Sequence, residues 1–145
     1  MDDFRQQLTA VLDTFLAEGG EPIFLVVDLE GVGDIKDAHG EESLRKFKLA
    51  AVDAVVAATR GADAFTYGED RVVAILDGRD YDRLRTFALI QKLRKAIPLL
   101  GQSFDCFLRP DFDTIEYRAD VGVSGLINQI AAARTQRKES ERQIA

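Results

Sequence analysis

The sequence has very few residues of the kinds that build metal sites and catalytic triads. Its 145 residues include one cysteine, Cys106, and one histidine, His39, far apart in the chain. A lone cysteine cannot form an internal disulfide, and apolar neighbours favour a buried thiol over a nucleophile. Zinc sites and Ser/His or Cys/His triads would lack their usual ligands and bases. These kinds of site are therefore disfavoured.

The chain also lacks a long apolar run and an excess of basic residues. No stretch approaches the roughly 20 apolar residues that cross a bilayer, and the acidic, polar start is unlike a signal peptide. With 19 Lys and Arg against 25 Asp and Glu, the formal net charge is −6. Nucleic-acid backbones attract clustered cations, so this balance disfavours nonspecific nucleic-acid binding. We expect a cytoplasmic protein with neither membrane nor nucleic acid as a partner.

What the chain does have is the length and the 46% hydrophobic content of one globular domain. Apolar periodicity and turn residues predict, in order, a helix over 2–17, a strand over 22–30, a loop or short helix over 30–40, a helix over 41–59, a hairpin over 64–67 and 71–76, a helix over 81–96 ended by Pro98, strands on both sides of Pro110, and a helix over 123–142. We divide the chain into an N-terminal helix, 1–20, and a single globular unit, 21–145.

Four predicted helices carry an apolar stripe, and in the helix over 41–59 it consists of Leu44, Phe47, Ala51, Val55 and Ala58. The first helix places six apolar residues on one side, namely Phe4, Leu8, Val11, Leu12, Phe15 and Leu16. This stripe either docks a protein partner or a second copy of the chain, or packs on its own domain. Two later helices are predicted to turn the following residues inward: Phe87, Ile90, Leu93 and Ile97 in one, and Leu126, Ile127, Ile130 and Ala131 in the last.

After the first helix, the order β-α-β-β-α-β is the split βαβ pattern of ferredoxin-like sheets, an α+β fold with an antiparallel sheet and helices on one face. In that layout Asp28, at the end of the first strand, lies beside Asp70, at the tip of the hairpin. Two carboxylates on adjacent strands can hold Mg²⁺, as in a nucleotidyl cyclase palm. The alternative is that both are ordinary solubilising residues at strand ends.

From about Ile23 to Lys138 the chain resembles a GGDEF domain, the bacterial module that condenses two GTP molecules into cyclic di-GMP. "DLEGVGDIKDAHGE" fits the D-x-D-x-F-K-x-x-N-D-x-x-G-H pattern of the first strand and its loop. "TYGEDRV" stands at the signature hairpin R-Y-G-G-D/E-E-F, and "LINQIAAARTQRK" resembles the last helix. The resemblance implies an α/β sandwich with the palm sheet and an extra N-terminal amphipathic helix.

Carried over residue by residue, the resemblance makes Asp28 and Asp70 the metal ligands. The degenerate signature hairpin consists of Gly68, Glu69, Asp70, Arg71 and Val72. Lys36 replaces the asparagine that reads guanine, and an ammonium cannot offer both donor and acceptor. Glu69 replaces a glycine and puts a carboxylate where triphosphate should lie. We therefore expect Mg²⁺ binding to be permitted but not required, and GTP turnover to be lost.

A second motif of the resemblance is "RGAD", which is similar to the R-x-x-D inhibitory site of many GGDEF domains. It implies a cyclic di-GMP site at Arg60 and Asp63, with the arginine on phosphate. The alternative is that Arg60 only closes a helix C-terminus, where cations are favoured.

Three functions follow. The first is a catalytically inactive signalling domain that acts through protein contacts, with the N-terminal helix as docking or homodimer surface. The second is a cyclic di-GMP receptor that uses Arg60 and Asp63. The third is an Mg²⁺-dependent nucleotidyl cyclase of altered specificity, with Lys36 or Lys138 contacting phosphate.

Overall fold

The computed structural model describes the backbone of residues 2–144 and the side chains of residues 3–133. Its elements are α1 (Asp2–Ala17), β1 (Pro22–Glu30), α2 (Gly33–His39), α3 (Glu41–Ala58), β2 (Ala64–Tyr67), β3 (Arg71–Asp77), α4 (Arg83–Gln102), β4 (Arg109–Glu116) and α5 (Gly122–Ile144). This α+β arrangement contains the predicted β-α-β-β-α-β progression, preceded by α1.

The four strands form one antiparallel sheet in the order β2-β3-β1-β4. Strand β1 is central because its run of apolar residues can be buried on both faces. Its neighbour β3 pairs from Pro22 opposite Asp77 to Asp28 opposite Arg71. The end of β1 and the hairpin tip therefore lie side by side, as predicted.

The sheet separates two apolar cores. Leu25 and Val27 of β1 face α2, α3 and α4, where Phe47 is among the fully buried side chains. The alternate residues Phe24 and Val26 face a second core that includes α1 and α5. The prediction of helices on one face only is therefore wrong, since α1 and α5 cover the other face.

The apolar stripe of α1 belongs to this second core. Phe4, Leu8 and Leu12 are buried, and the Phe4 ring packs against Tyr67 with centroids 4.6 Å apart. The prediction of a partner docked on this stripe is corrected for these three residues, because the side chains already contact the chain's own sheet. The alternative, that the stripe packs on its own domain, is observed for five of its six residues, while Leu16 is 42% exposed.

Three local predictions are wrong. Helix α4 runs through Pro98 to Gln102, because a stripe of buried residues, Leu89, Leu93, Ile97 and Gly101, continues across the proline. Phe87 lies off that stripe and is 61% exposed. In α5, Ala131 is exposed, whereas Leu126 and Ile130 are buried.

The segment before Pro110 also differs from its prediction. Residues 103–108 form turns and irregular chain, and one strand, β4, continues through Pro110 instead of two strands around it.

Within the described residues, no helix is both long enough and apolar enough to cross a bilayer.

We predict that α1 contributes strongly to stability. Leu8 is 0% exposed, so Leu8→Ala should lower the free energy of unfolding by about 2–5 kcal/mol through lost burial and a residual cavity. The matched control is Leu84→Ala, since Leu84 is 79% exposed, and it should change stability by less than about 0.5 kcal/mol. Urea unfolding measures both, and equal effects would contradict the docking of α1.

Candidate functional site

The two candidate metal ligands lie at one end of the sheet. Asp28 is 2% exposed and stands opposite Arg71 on β3 and opposite Asp111 on β4. Next to it, the Leu29 N–H donates to the carbonyl of Asp70 at 2.7 Å. Strand pairing therefore brings the backbones of Asp28 and Asp70 together.

The signature hairpin has a three-residue tip. Tyr67 pairs with Arg71, which leaves Gly68, Glu69 and Asp70 to turn the chain. Gly68 has φ of 65°, a left-handed conformation that glycine adopts without a steric penalty. Its carbonyl accepts a hydrogen bond from Lys48 Nζ at 3.1 Å, so α3 holds the tip. The next signature residue after Arg71, Val72, is fully buried in the core facing α3 and α4.

Arg71 has a role that the sequence analysis missed. Its side chain is only 14% exposed, and its guanidinium donates to the backbone carbonyl of Ile130 in α5 at 2.9 Å. The same guanidinium lies 5.4 Å from the ring centroid of Tyr67, and its Nε lies 4.0 Å from Asp70 Oδ1. Arg71 therefore joins β2, β3 and α5 on the face that bears Asp28. The only sequence signal was a cation next to a strand-end acid.

Lys36 lies between acids. Its Nζ is 3.7 Å from Glu41 Oε1 and 3.7 Å from Glu69 Oε1, which links α2 to the hairpin tip. These side chains, with Lys48 and Thr66 among others, line a cleft of about 400 Å³. Both carboxylates are well exposed, so each ion pair stabilises the fold only weakly. The side chain of Lys138, the other predicted phosphate contact, lies outside the described residues.

Arg60 and Asp63 are placed differently from each other. Arg60 follows the C-terminus of α3 with φ of 59°, a left-handed conformation that closes the helix. It lines a cleft of about 630 Å³ together with Arg85 and Lys92 of α4. Asp63 is exposed and does not line this cleft, while its carbonyl accepts from Ile75 N at 2.9 Å. The cleft therefore gathers three cations and one acid, Asp80, without the aspartate of the motif.

The lone cysteine and the lone histidine each have one local polar partner among the described residues, and for the cysteine it is the Gly31 carbonyl, which lies 3.4 Å from Sγ. Burial raises the pKa of the Cys106 thiol, with a smaller contribution from Asp34, so the thiolate is scarce at neutral pH. His39 Nε2 lies 3.8 Å from Asp105 Oδ2. Across the described residues there is no group of three or more His, Cys, Asp or Glu side chains placed to hold a metal ion.

Comparison with known proteins gives structural relatives only. No protein-family model matches the sequence, and no curated protein matches it. A sensory box/GGDEF family protein from Caulobacter crescentus superimposes with a TM-score of 0.65 at 16% identity, over 97% of this chain and 92% of that one. The GGDEF domain of DgcB from the same organism, solved in complex with c-di-GMP, gives 0.66 at 12% identity, over 94% and 83%.

A third relative is an EAL/GGDEF domain protein from M. capsulatus, with a TM-score of 0.63 and 19% identity over 84% of this chain and 81% of that one. The superposition on the sensory box/GGDEF family protein leaves only 3% of this chain unmatched, which is fewer residues than the 16 of α1. The structural similarity therefore includes part of α1 as well as the sheet. At these sequence identities, structural similarity establishes the fold alone. The chain has the fold of a GGDEF domain.

Proposed function

We propose that this chain is a catalytically inactive GGDEF-like signalling domain that acts through protein contacts. The observation that carries the proposal is the use of Arg71 as an internal tie between the signature hairpin and α5. In the resembled signature this position is acidic, so the chain has a structural cation where the family has a carboxylate.

The position of Arg71 disfavours a divalent cation at Asp28 and Asp70. A guanidinium is always protonated, and its charge here is held 4.0 Å from Asp70 Oδ1. A dication bound between the two carboxylates would be repelled by this fixed positive charge in a poorly solvated setting. The carboxylate oxygens of Asp28 and Asp70 are ligands that Mg²⁺ accepts. The neighbouring guanidinium of Arg71 makes the site as a whole a poor fit for this ion.

The phosphate side of the site is equally altered. Glu69 brings a carboxylate to the tip, and Lys36, the nearest predicted phosphate contact, is shared between Glu69 and Glu41. A nucleotide would have to displace these ion pairs and accept a carboxylate beside its own negative charge. Lys36 also replaces the amide that would read guanine, and a base site built for hydrogen bonds discriminates strongly against such a loss.

A second candidate function is binding of cyclic di-GMP near Arg60. The specific observation in its favour is the cleft in which Arg60 joins Arg85 and Lys92, since three cations against one acid, Asp80, suit a ligand with two phosphates. One structural neighbour was solved with c-di-GMP. Against this reading, Asp63 lies off the cleft, so the guanine contact that the motif implies lacks its acceptor.

We predict no nucleotide turnover. The chain, incubated with each nucleoside triphosphate and Mg²⁺ or Mn²⁺, should form no cyclic or linear dinucleotide above the level of Asp70→Ala, measured by chromatography. Three changes act together. Lys36 cannot read guanine, Glu69 places a carboxylate where phosphate should lie, and Arg71 puts a positive charge beside the metal ligands. Product that forms with the wild-type chain and disappears in Asp70→Ala would instead establish a cyclase of altered specificity.

We predict that Arg71 stabilises the fold. Arg71→Ala should lower the free energy of unfolding by about 1–3 kcal/mol, because the Ile130 carbonyl loses a partly buried charged donor. Arg45→Ala is the control, since Arg45 is exposed and pairs with Glu42 one turn away, and its unfolding midpoint should stay close to that of the wild type. Denaturant unfolding measures both. An Arg71→Ala chain as stable as Arg45→Ala would remove the structural role.

For the second candidate function, calorimetric titration with cyclic di-GMP should show heat that is lost in Arg60→Ala and in Lys92→Ala. Lys95→Ala, another α4 lysine outside the cleft, is the matched control and should bind as the wild type does. Absence of heat and of a thermal shift at high ligand concentration would end the receptor hypothesis and leave the leading proposal unchanged.

A further inference from the structure

Strand β4 forms one edge of the sheet, and the direction of its backbone groups can be read from its neighbours. The Leu29 N–H points to β3, where it donates to Asp70, while the Pro22 carbonyl accepts from Tyr117 N on the β4 side. In an antiparallel ladder these directions alternate along each strand. The residues of β4 that direct their backbone groups away from β1 are therefore Pro110, Phe112, Thr114 and Glu116.

The half of this edge near the signature hairpin is closed. Pro110 has no N–H, and the Phe112 N–H donates to the side chain of Asp111 at 2.9 Å. Proline and local side-chain hydrogen bonds are ways in which sheet edges avoid unwanted pairing. At the other half, Thr114 and Glu116 are exposed, and within the described residues no loop carbonyl or side chain accepts from their N–H groups. The edge is therefore open only at Thr114–Glu116.

A groove of about 970 Å³ lies against this open half. Its apolar lining comes from α1, β1, α4 and the segments beside them, and includes Leu16, Ile23, Tyr81, Phe87, Ile90 and Tyr117. Phe87 is 61% exposed although it forms part of this wall. Exposed aromatic residues beside a concave apolar surface are typical of protein-binding sites.

The charges around the groove select the chemistry of its occupant. Among the described residues, Glu21, Asp82 and Glu116 line it, against a single cation, Arg83. Asp82 also caps α4 by accepting from Arg85 N, which fixes its carboxylate at the rim. An occupant with Lys or Arg side chains would complement this rim.

The same charges disfavour a second copy of the chain. Pairing of β4 with a second β4 would bring together two strands in which three acids, Asp111, Asp113 and Glu116, outnumber one cation, Arg109. Like charges opposed across a strand pair are destabilising.

We propose that Thr114–Glu116 and the adjacent groove bind an extended, basic segment of a partner protein, which adds to the sheet as a fifth strand beside β4. The segment's backbone would pair with the outward groups of Thr114 and Glu116, its alternate apolar side chains would pack on Phe87 and Ile90, and its cations would face the acidic rim. This inference rests on the proposed role in protein contacts and names the surface and the partner chemistry.

The test uses the full 145-residue chain and a displayed library of random peptides of about six residues, the length of an ordinary strand. Enriched peptides should alternate apolar residues with Lys or Arg. The best of them, made synthetically, is titrated by fluorescence anisotropy against the wild type and two variants. Thr114→Pro removes one outward N–H, as Pro110 does naturally, and Thr114→Val keeps that N–H while losing the hydroxyl.

We expect Thr114→Pro to weaken binding about tenfold or more, because a peptide carbonyl loses its donor, and Thr114→Val to bind nearly as the wild type does. Glu116→Lys should also weaken binding, and added salt should reduce that difference. Equal affinities of Thr114→Pro and the wild type would overturn the proposal. So would enrichment of no basic peptide, or a wild-type dimer that Thr114→Pro converts to a monomer, since the occupant would then be a second copy.

If Thr114→Pro fails to fold by circular dichroism, hydrogen exchange of the wild type decides. The Thr114 and Glu116 amides should become protected when the peptide binds, and unchanged exchange at both would overturn the proposal. A peptide that binds another surface would exclude the β4 edge as the binding site, and the proposed function in protein contacts would still stand. Nucleotide turnover would remove the proposed function whatever the peptide does.

Discussion

The hydrogen bond from Arg71 to the carbonyl of Ile130 is the interaction on which the account of this site depends. It ties the start of β3 to α5 and holds a guanidinium on the sheet face that also carries Asp28. A cation held between Asp28 and Asp70 would have to share that region with a fixed positive charge. Because the arginine is nearly buried, the contact is part of the fold and cannot be given up without cost.

The packing around Arg71 extends this constraint to α1. The Tyr67 ring lies close to both the Arg71 guanidinium and the Phe4 ring, and Arg71 also binds α5, so the first helix, the hairpin and the last helix meet near one tyrosine. This arrangement explains why the start of the α1 stripe, at Phe4, is internal. The proposed protein contact therefore lies at the opposite end of the sheet. There Thr114 and Glu116 of β4 leave the edge open, and Phe87 of α4 exposes its ring.

Much of the fold was predictable because it depends on local pattern. The bounds of α1 and β1 follow from helical spacing and from one unbroken apolar run, and the hairpin follows from its turn residues. The second helical layer was not predictable in the same way, since a stripe such as Phe4, Leu8 and Leu12 looks the same whether it faces a partner or its own sheet. Pro98 misled because a tertiary stripe, ending at Gly101, outweighed a local helix breaker.

The candidate site also has a part that could be predicted from the sequence and a part that could not. Topology alone brought Asp28 and Asp70 together, but the contact of Arg71 with Ile130 joins residues far apart in sequence and needs the docking angle of α5. The decisive measurement is a titration of the ¹⁵N-labelled chain with Mn²⁺, whose unpaired electrons broaden nearby amide signals. We expect no saturable broadening centred on Asp28 and Asp70, with only weak, scattered effects at exposed acids. Saturable broadening of those two amides at low Mn²⁺ would show that a divalent cation binds beside Arg71, and it would contradict the account.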